Sequence, residues 1–216
     1  MKTYDVVLFD LDGTLTDPGL GITKSVEYAL NHYGITVKDR RELEHFIGPP
    51  LIDSFMGSYG FSKEQATEAV EVYREYFSVT GLFENEVYPH IPELLNALKK
   101  AGKILLVASS KPEVFVLRIL EHFDLLRFFD GVGGAAMDES RTNKADVVEY
   151  ILGKAGVTDR SRCILVGDRK FDVNGAHEAG MDALAVTYGY GSPEELTAAQ
   201  PEHIAHTPKE IERILL

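Results

Sequence analysis

From Tyr88 onward, apolar runs alternate with amphipathic stretches, and this alternation is the feature that most narrows the folds open to the chain. The runs KILLVAS, GVGGAA, CILVGD and DALAVTYG are predicted as buried strands. Between them, apolar residues recur every three or four positions, for example in KPEVFVLRILEHF and KADVVEYILGKAG, and predict helices. Strands that alternate with helices in this way predict a parallel sheet covered on both faces.

A further strand of the same buried type, VVLF, lies at residues 6–9, far ahead of the others. The residues between it and the alternating region carry helical patterns only, including SKEQATEAVEVYREYFSVTG with Ser62 as a predicted N-cap. Pro and Gly lie near both ends of this stretch, as expected for the hinges of a movable domain. We therefore expect an α/β core formed by residues 1–15 and 87–216, with residues 16–86 inserted as an α-helical cap.

Composition excludes several classes of protein. The formal net charge is −12 and Lys and Arg form no long run, which argues against a nucleic-acid partner. No segment approaches the ~20 apolar residues of a membrane span, and the N-terminal apolar run is too short for a signal peptide. The single cysteine, Cys163, is predicted to be buried and inert. We expect a cytoplasmic protein without a membrane partner, present as a monomer or weak dimer.

Polar side chains that can carry chemistry follow the predicted strands. They are Asp10 and Asp12 after the first strand, Ser109, Ser110 and Lys111 after the second, Lys144 at the start of a later helix, and Asp168 and Asp172 after CILVG. Because the carboxyl ends of parallel strands meet at one edge of a sheet, these groups are expected to lie together. Oxygen ligands without nearby His or Cys suit Mg²⁺, whereas isolated aspartates after strands are also common turn formers and helix caps.

The motifs in this order resemble those of the haloacid dehalogenase superfamily. They are DLDGT after the first strand, a Ser that ends the second, a Lys that opens a helix, and GDRKFD after a later strand. The resemblance spans nearly the whole chain and implies a Rossmann-like parallel sheet flanked by helices. It also implies a cap inserted just after the first motif, as in the phosphoglycolate phosphatase-like branch.

The resemblance further implies a set of roles for these residues. Asp10 would be the nucleophile that forms an aspartyl-phosphate, and Asp12 the general acid and base. Mg²⁺ would be held by Asp10, the backbone carbonyl of Asp12, and Asp168, with Asp172 as a ligand or a partner of a ligand. The phosphoryl oxygens would be bound by Gly13, Ser109, Ser110 and Lys144.

The implied activity is hydrolysis of a small phosphomonoester in the presence of Mg²⁺. Dehalogenases of the superfamily lack an acid at the position of Asp12, and mutases usually have Gly-Val where this chain has Gly13 and Thr14. A sugar-phosphate mutase remains one alternative. A catalytically silent phosphate-binding or regulatory protein is another.

Two stretches bear on the substrate. The Lys144 motif, SRTNKADVV, lacks the prolines of many phosphoglycolate phosphatases, and together with FIGPPL it resembles a 5′-nucleotidase-like branch. Phosphoglycolate would need a cation in the cap, and a nucleoside monophosphate would need an apolar or aromatic surface. The candidate substrate-binding residues of the cap are Lys24, Pro49 and Pro50. Of these, Lys24 is expected to be solvated.

Overall fold

A computed structural model describes residues 2–137 and 140–216. The chain divides into two compact units, one of residues 1–16 with 87–216 and the other of residues 17–86. The predicted role of the second unit as a movable cap stays a prediction. No helix among the described residues is both long and apolar enough to cross a membrane.

The first unit is built on a six-stranded sheet in which every neighbouring pair of strands is parallel. Its strands are β1 (Val6–Phe9), β4 (Ile104–Pro112), β5 (Gly131–Ala135), β6 (Cys163–Gly167), β7 (Asp182–Val186) and β8 (His203–Ala205). Two further short strands, β2 (Thr16–Asp17) and β3 (Glu86–Val87), pair with each other where the chain passes between the units. The α/β fold expected from the alternating pattern is confirmed.

The order of the strands identifies where a ligand would bind. Across the sheet the order is β5, β4, β1, β6, β7 and β8, so the chain builds outward on one side of β1 and then on the other. The reversal lies between β1 and β6, and open parallel sheets bind their ligands at the carboxyl ends of the strands beside such a reversal. Asp10 and Asp168 directly follow these two strands.

Helices cover both faces of the sheet. In the first unit they are α4 (Ile91–Lys100), α5 (Glu113–His122), α6 (Lys144–Lys154), α7 (Lys170–Glu178), α8 (Pro193–Ala199) and α9 (Pro208–Leu215). Because successive strand residues point to opposite faces, Val6 and Leu8 of β1 lie on the same side and pack with Val147 of α6 and Val173 of α7. All four residues of β1 are buried. Its carboxyl end is therefore held firmly in the middle of the core.

The second unit is helical, as the sequence pattern indicates. It contains α1 (Gly19–His32), α2 (Leu51–Tyr59), α3 (Lys63–Tyr76), a 3₁₀ helix at Arg40–Phe46 and a π-helical turn at Phe77–Gly81. Ser62 caps α3 as predicted, since its hydroxyl accepts a hydrogen bond from Gln65 N while the Gln65 side chain binds Ser62 N. Tyr73 and Phe77 are buried and stacked on each other within this unit.

Candidate active site

Asp10 lies at the carboxyl end of β1, where the strand is paired on both sides. Its backbone N–H donates to Val166 O of β6 at 2.9 Å, which continues the sheet pairing by one residue. The residue is buried, and its side chain is only 10% exposed. A carboxylate fixed in this way has little freedom to turn away from the edge of the sheet.

A tight turn over residues 11–16 follows Asp10. The backbone N–H groups of Thr14, Leu15 and Thr16 all point to Leu11 O, at 2.9 to 3.3 Å. Gly13 has φ +78°, a conformation that favours glycine, and a Cβ there would lie 2.2 Å from Asp168 Oδ2. The glycine of DLDGT therefore lets the backbone pass directly against an acidic side chain from another strand.

Three aspartates that the sequence predicts as neighbours do lie together. Carboxylate oxygens of Asp10, Asp168 and Asp172 all fall within 4.8 Å of one another, and all three residues are buried. Burial and the nearby charges of Asp172 and Asp10 raise the pKa of Asp168 well above its ordinary value. Burial likewise raises the pKa of Asp172 to about 6, although Lys144 opposes the shift.

Lys144, at the first turn of α6, supplies a positive charge to this cluster. Its Nζ lies 2.9 Å from Asp10 Oδ1 and 2.8 Å from Asp172 Oδ1, and it donates to Ala108 O at 2.9 Å. Burial alone would lower the pKa of Lys144, but the two carboxylates outweigh this effect and raise it. The lysine is therefore held as an ammonium ion between two of the acids.

A second lysine, Lys111, pairs with Asp12. Its Nζ lies 2.8 Å from Asp12 Oδ2 and 2.9 Å from Oδ1, and both side chains are almost completely buried. Burial raises the pKa of Asp12, while the adjacent ammonium opposes that rise. The sequence placed Lys111 at the correct sheet edge but did not indicate its partner.

The other predicted phosphate-binding residues also lie at this edge. Ser109 is buried at the end of β4, and its hydroxyl accepts a hydrogen bond from Lys111 N at 3.3 Å. Ser110 is half-buried. The pairing of β4 with β5 changes register between Ser109 and Pro112, so the strand is irregular where these polar residues occur.

The predicted cap residues all lie in the second unit. Pro49 is half-buried, and Pro50 is exposed immediately before α2. Lys24 was predicted to be solvated, but its ammonium group forms an ion pair with Glu84. Tyr76 donates a further hydrogen bond to the same carboxylate, at 3.1 Å.

The loop after β7 forms a support for Asp168 that the sequence did not indicate. Tyr190 N donates to Asp168 Oδ2 at 2.7 Å, and the Tyr188 hydroxyl donates to Thr14 O at 2.9 Å. A Cβ at Gly189 would lie 2.4 Å from Asp168 Oδ2 and 2.4 Å from Gly13 O. The stretch YGYGS thus packs against the acidic cluster.

We expect Gly189→Ala to destabilise the protein by about 1–3 kcal/mol, the usual cost of forcing extra atoms into a packed site. Urea unfolding would measure the change. The control is Gly153→Ala, because a Cβ there enters open space on a helix, where alanine is preferred to glycine. Equal stability of the Gly189→Ala variant and the parent protein would contradict the close packing of Gly189 against Asp168.

The charges of these side chains fit a divalent cation. Four carboxylates, from Asp10, Asp12, Asp168 and Asp172, face two ammonium groups, from Lys111 and Lys144, which leaves an excess of two negative charges when all are ionised. Asp10 Oδ1 and Asp172 Oδ1 are buried and lack a well-directed hydrogen bond despite their closeness to Lys144. Buried carboxylate oxygens of this kind suit a hard cation such as Mg²⁺.

Comparison with known proteins agrees with this arrangement. The sequence profile described as haloacid dehalogenase-like hydrolase matches residues 7–186. A 5′-nucleotidase from Pseudomonas aeruginosa is 49% identical over 200 residues, which cover 93% of this chain and 90% of the relative. The crystal structure of a predicted phosphatase from Clostridium acetobutylicum superposes with a TM-score of 0.95 at 46% identity, covering 99% of this chain and 98% of the other.

Two other relatives carry different names. The tyrosine-protein kinase PtkA of Mycobacterium tuberculosis is 38% identical over 205 residues, which cover 95% of this chain and 69% of the relative. A phosphoglycolate phosphatase from Vibrio parahaemolyticus is 27% identical over 215 residues, with 95% and 93% coverage. One fold and one family thus accommodate relatives with several names.

Proposed function

The chain belongs to the haloacid dehalogenase-like hydrolase family, and we propose that it is a Mg²⁺-dependent phosphatase for nucleoside 5′-monophosphates that works through an aspartyl-phosphate. The observation that carries this proposal is the buried cluster of Asp10, Asp168 and Asp172 with Lys144. It combines a fixed carboxylate nucleophile with a set of charges that can receive an anionic phosphoryl group.

In the first step, an Asp10 carboxylate oxygen attacks phosphorus, and the bond to the leaving alkoxide breaks as the aspartyl-phosphate forms. The Lys144 ammonium lies against Asp10 and can offer hydrogen bonds to the phosphoryl oxygens. Ser109 and the backbone N–H groups of the Asp12–Gly13 turn are the further proposed donors. These donors stabilise the negative charge that spreads over the phosphoryl oxygens while the phosphoryl group is transferred.

Asp12 serves both halves of the reaction. Protonated Asp12 gives its proton to the leaving oxygen of the ester, which becomes the nucleoside hydroxyl. The resulting carboxylate then accepts a proton from the water that attacks the aspartyl-phosphate, and free phosphate leaves. Because Asp12 lies two residues beyond Asp10 on the same tight turn, one side chain can act in both steps.

Asp10, Asp168 and Asp172 are the residues that would hold Mg²⁺. When bound, Mg²⁺ would supply positive charge that offsets the repulsion between the anionic nucleophile and the anionic ester. The loop containing Gly189 and Tyr190 keeps Asp168 in place through backbone contacts. These residues thus provide rigid oxygen ligands for the cation, and selection of the substrate depends on residues outside this set.

The pairing of Lys24 favours a nucleoside monophosphate over phosphoglycolate. Phosphoglycolate carries a carboxylate in addition to its phosphate, and that group would need a cation. Lys24, the candidate for this role, is already paired with Glu84 and only 30% exposed along its side chain. A second anionic group would have to compete with Glu84, whereas a neutral nucleoside would not.

A panel of small phosphate esters tests the proposed substrate class. We expect kcat/KM for nucleoside 5′-monophosphates to exceed that for phosphoglycolate by about tenfold or more, since a site rejects a ligand whose charge it leaves unpaired. Phosphate release is measured after removal of metal with EDTA and again after Mg²⁺ is restored. The Asp10→Asn protein, purified in parallel, controls for contaminating phosphatases.

The outcomes separate the alternatives. A preference for phosphoglycolate would overturn the substrate assignment but keep the chemistry. Conversion of a sugar phosphate to its isomer without phosphate release would indicate a mutase. Phosphate-ester binding without turnover in Mg²⁺ would indicate a silent binding protein, and tyrosine phosphorylation from ATP without ester hydrolysis would indicate a kinase.

A further inference from the structure

Lys111 is a buried charge whose position calls for an explanation. It lies next to the last residue of β4, and its side chain is 7% exposed. Taking an ammonium ion out of water is costly, and a buried ion pair generally adds little stability compared with apolar side chains of similar size. The location of this pair beside the proposed nucleophile suggests a role in the reaction rather than in folding.

The two lysines at the sheet edge have different partners. Lys144 contacts Asp10 and Asp172, whereas Lys111 contacts both oxygens of Asp12, at 2.8 and 2.9 Å. An aspartate side chain has several staggered conformations that differ little in energy. An ammonium group that contacts both carboxylate oxygens favours one of these conformations over the others.

The backbone around Lys111 departs from regular strand geometry. The register shift after Ser109 interrupts the regular pairing of β4 with β5, and Lys111 N donates to the Ser109 hydroxyl. Irregularities of this kind at the ends of strands commonly redirect a side chain near an active site. In this protein, the redirected side chain reaches across to the turn that follows the neighbouring strand β1.

From these observations we propose that Lys111 is a positioning residue that holds the Asp12 carboxyl group in the orientation needed for proton transfer. The inference rests on the proposed function, in which Asp12 exchanges a proton with the leaving oxygen and with water. Proton transfer needs donor and acceptor at hydrogen-bond distance, about 2.6–3.2 Å. Lys111 acts through Asp12 and transfers no proton itself in either step.

The test compares Lys111→Met, Asp12→Asn and the double variant. On a nucleoside monophosphate, Lys111→Met is expected to lower kcat by ~10²-fold, the effect of a small misplacement of a reacting group, with little change in KM. In the Asp12→Asn background, the same change is expected to cost almost nothing further, since the group that Lys111 orients is already absent. A chromogenic aryl phosphate with a good leaving group keeps the slow variants measurable.

Two further measurements distinguish positioning from other roles. If Lys111 instead binds the phosphoryl group directly, the inhibition constant for inorganic phosphate will rise and the loss will persist in the Asp12→Asn background, which overturns the proposal. If its role is only structural, Lys111→Met will unfold at a lower urea concentration while kcat of the folded protein stays at the parent value, which overturns the proposal. Partial recovery with Lys111→Arg supports positioning.

Lys99 provides a control, because it forms a more exposed Lys–Asp pair outside the acidic cluster, with its Nζ 2.8 Å from Asp130 Oδ1. Lys99→Met is expected to keep the parent kcat. Failure of the proposed function itself would give a different result: Asp12→Asn would then retain full activity, whatever the effect of Lys111→Met. Unchanged kcat in Lys111→Met together with a large loss in Asp12→Asn overturns the positioning role alone.

Discussion

Asp10→Asn is expected to reduce phosphate release below detection while leaving the protein folded. The change removes the proposed nucleophile, and the remaining amide is too weak a nucleophile to form the covalent intermediate. It also removes a negative charge from a cluster with an excess of acids, so the folded state should not suffer. Steady-state release of phosphate and urea unfolding measure the two effects separately.

Trapping experiments make this prediction sharper. Acid quenching of the parent enzyme during turnover should leave phosphate attached to the protein, and mass spectrometry should locate it on Asp10. Asp172→Asn serves as the comparison, since it removes a neighbouring carboxylate without removing the nucleophile. Turnover by a clean Asp10→Asn preparation would eliminate the covalent route.

Asp12→Asn is expected to lower kcat by roughly 10²–10⁴-fold, the usual contribution of a positioned acid or base. The loss should be larger for nucleoside monophosphates than for aryl phosphates, because an aryl oxide leaves without help from a proton. Covalent phosphate on Asp10 should accumulate with the aryl ester, since loss of the base slows attack by water. Rapid-quench measurements of the phosphorylated protein would check this.

The size of the loss and its dependence on the leaving group answer different questions. A loss below about tenfold, well short of the range for acid–base catalysis, would assign the proton transfer to another group. An equal loss for alkyl and aryl esters would place Asp12 in the second step alone. Asp17→Asn, at an exposed position outside the cluster, controls for a change of charge near the same turn.

The acidic cluster was predictable because it depends only on the local sequence around each strand and on the parallel order of the strands. Each aspartate directly follows an apolar run or lies within one turn of it, and parallel strands bring their carboxyl ends to the same edge. The short strand β8 (His203–Ala205) was not predicted. Three residues carry too little alternation to be recognised as a strand.

The partner of Asp12 and the support of Asp168 could not be predicted in the same way. Lys111 contacts Asp12 from the irregular end of β4, and strand periodicity does not indicate such irregularities. Gly189 lies against Asp168 because its lack of a side chain permits close approach. The only available signal was a pair of glycines shortly after a strand, which is equally typical of an ordinary turn.

The position of β1 in the sheet has a consequence for how the protein acquires activity. The partners of this four-residue strand begin at Ile104 and Cys163, far along the chain on the other side of the helical insertion. Such pairings have high contact order, and their loop-closure entropy must be overcome before they add stability. Until β6 has left the ribosome, the nascent chain therefore carries Asp10 on an incomplete sheet, so the nucleophile reaches its final surroundings only in the last quarter of synthesis.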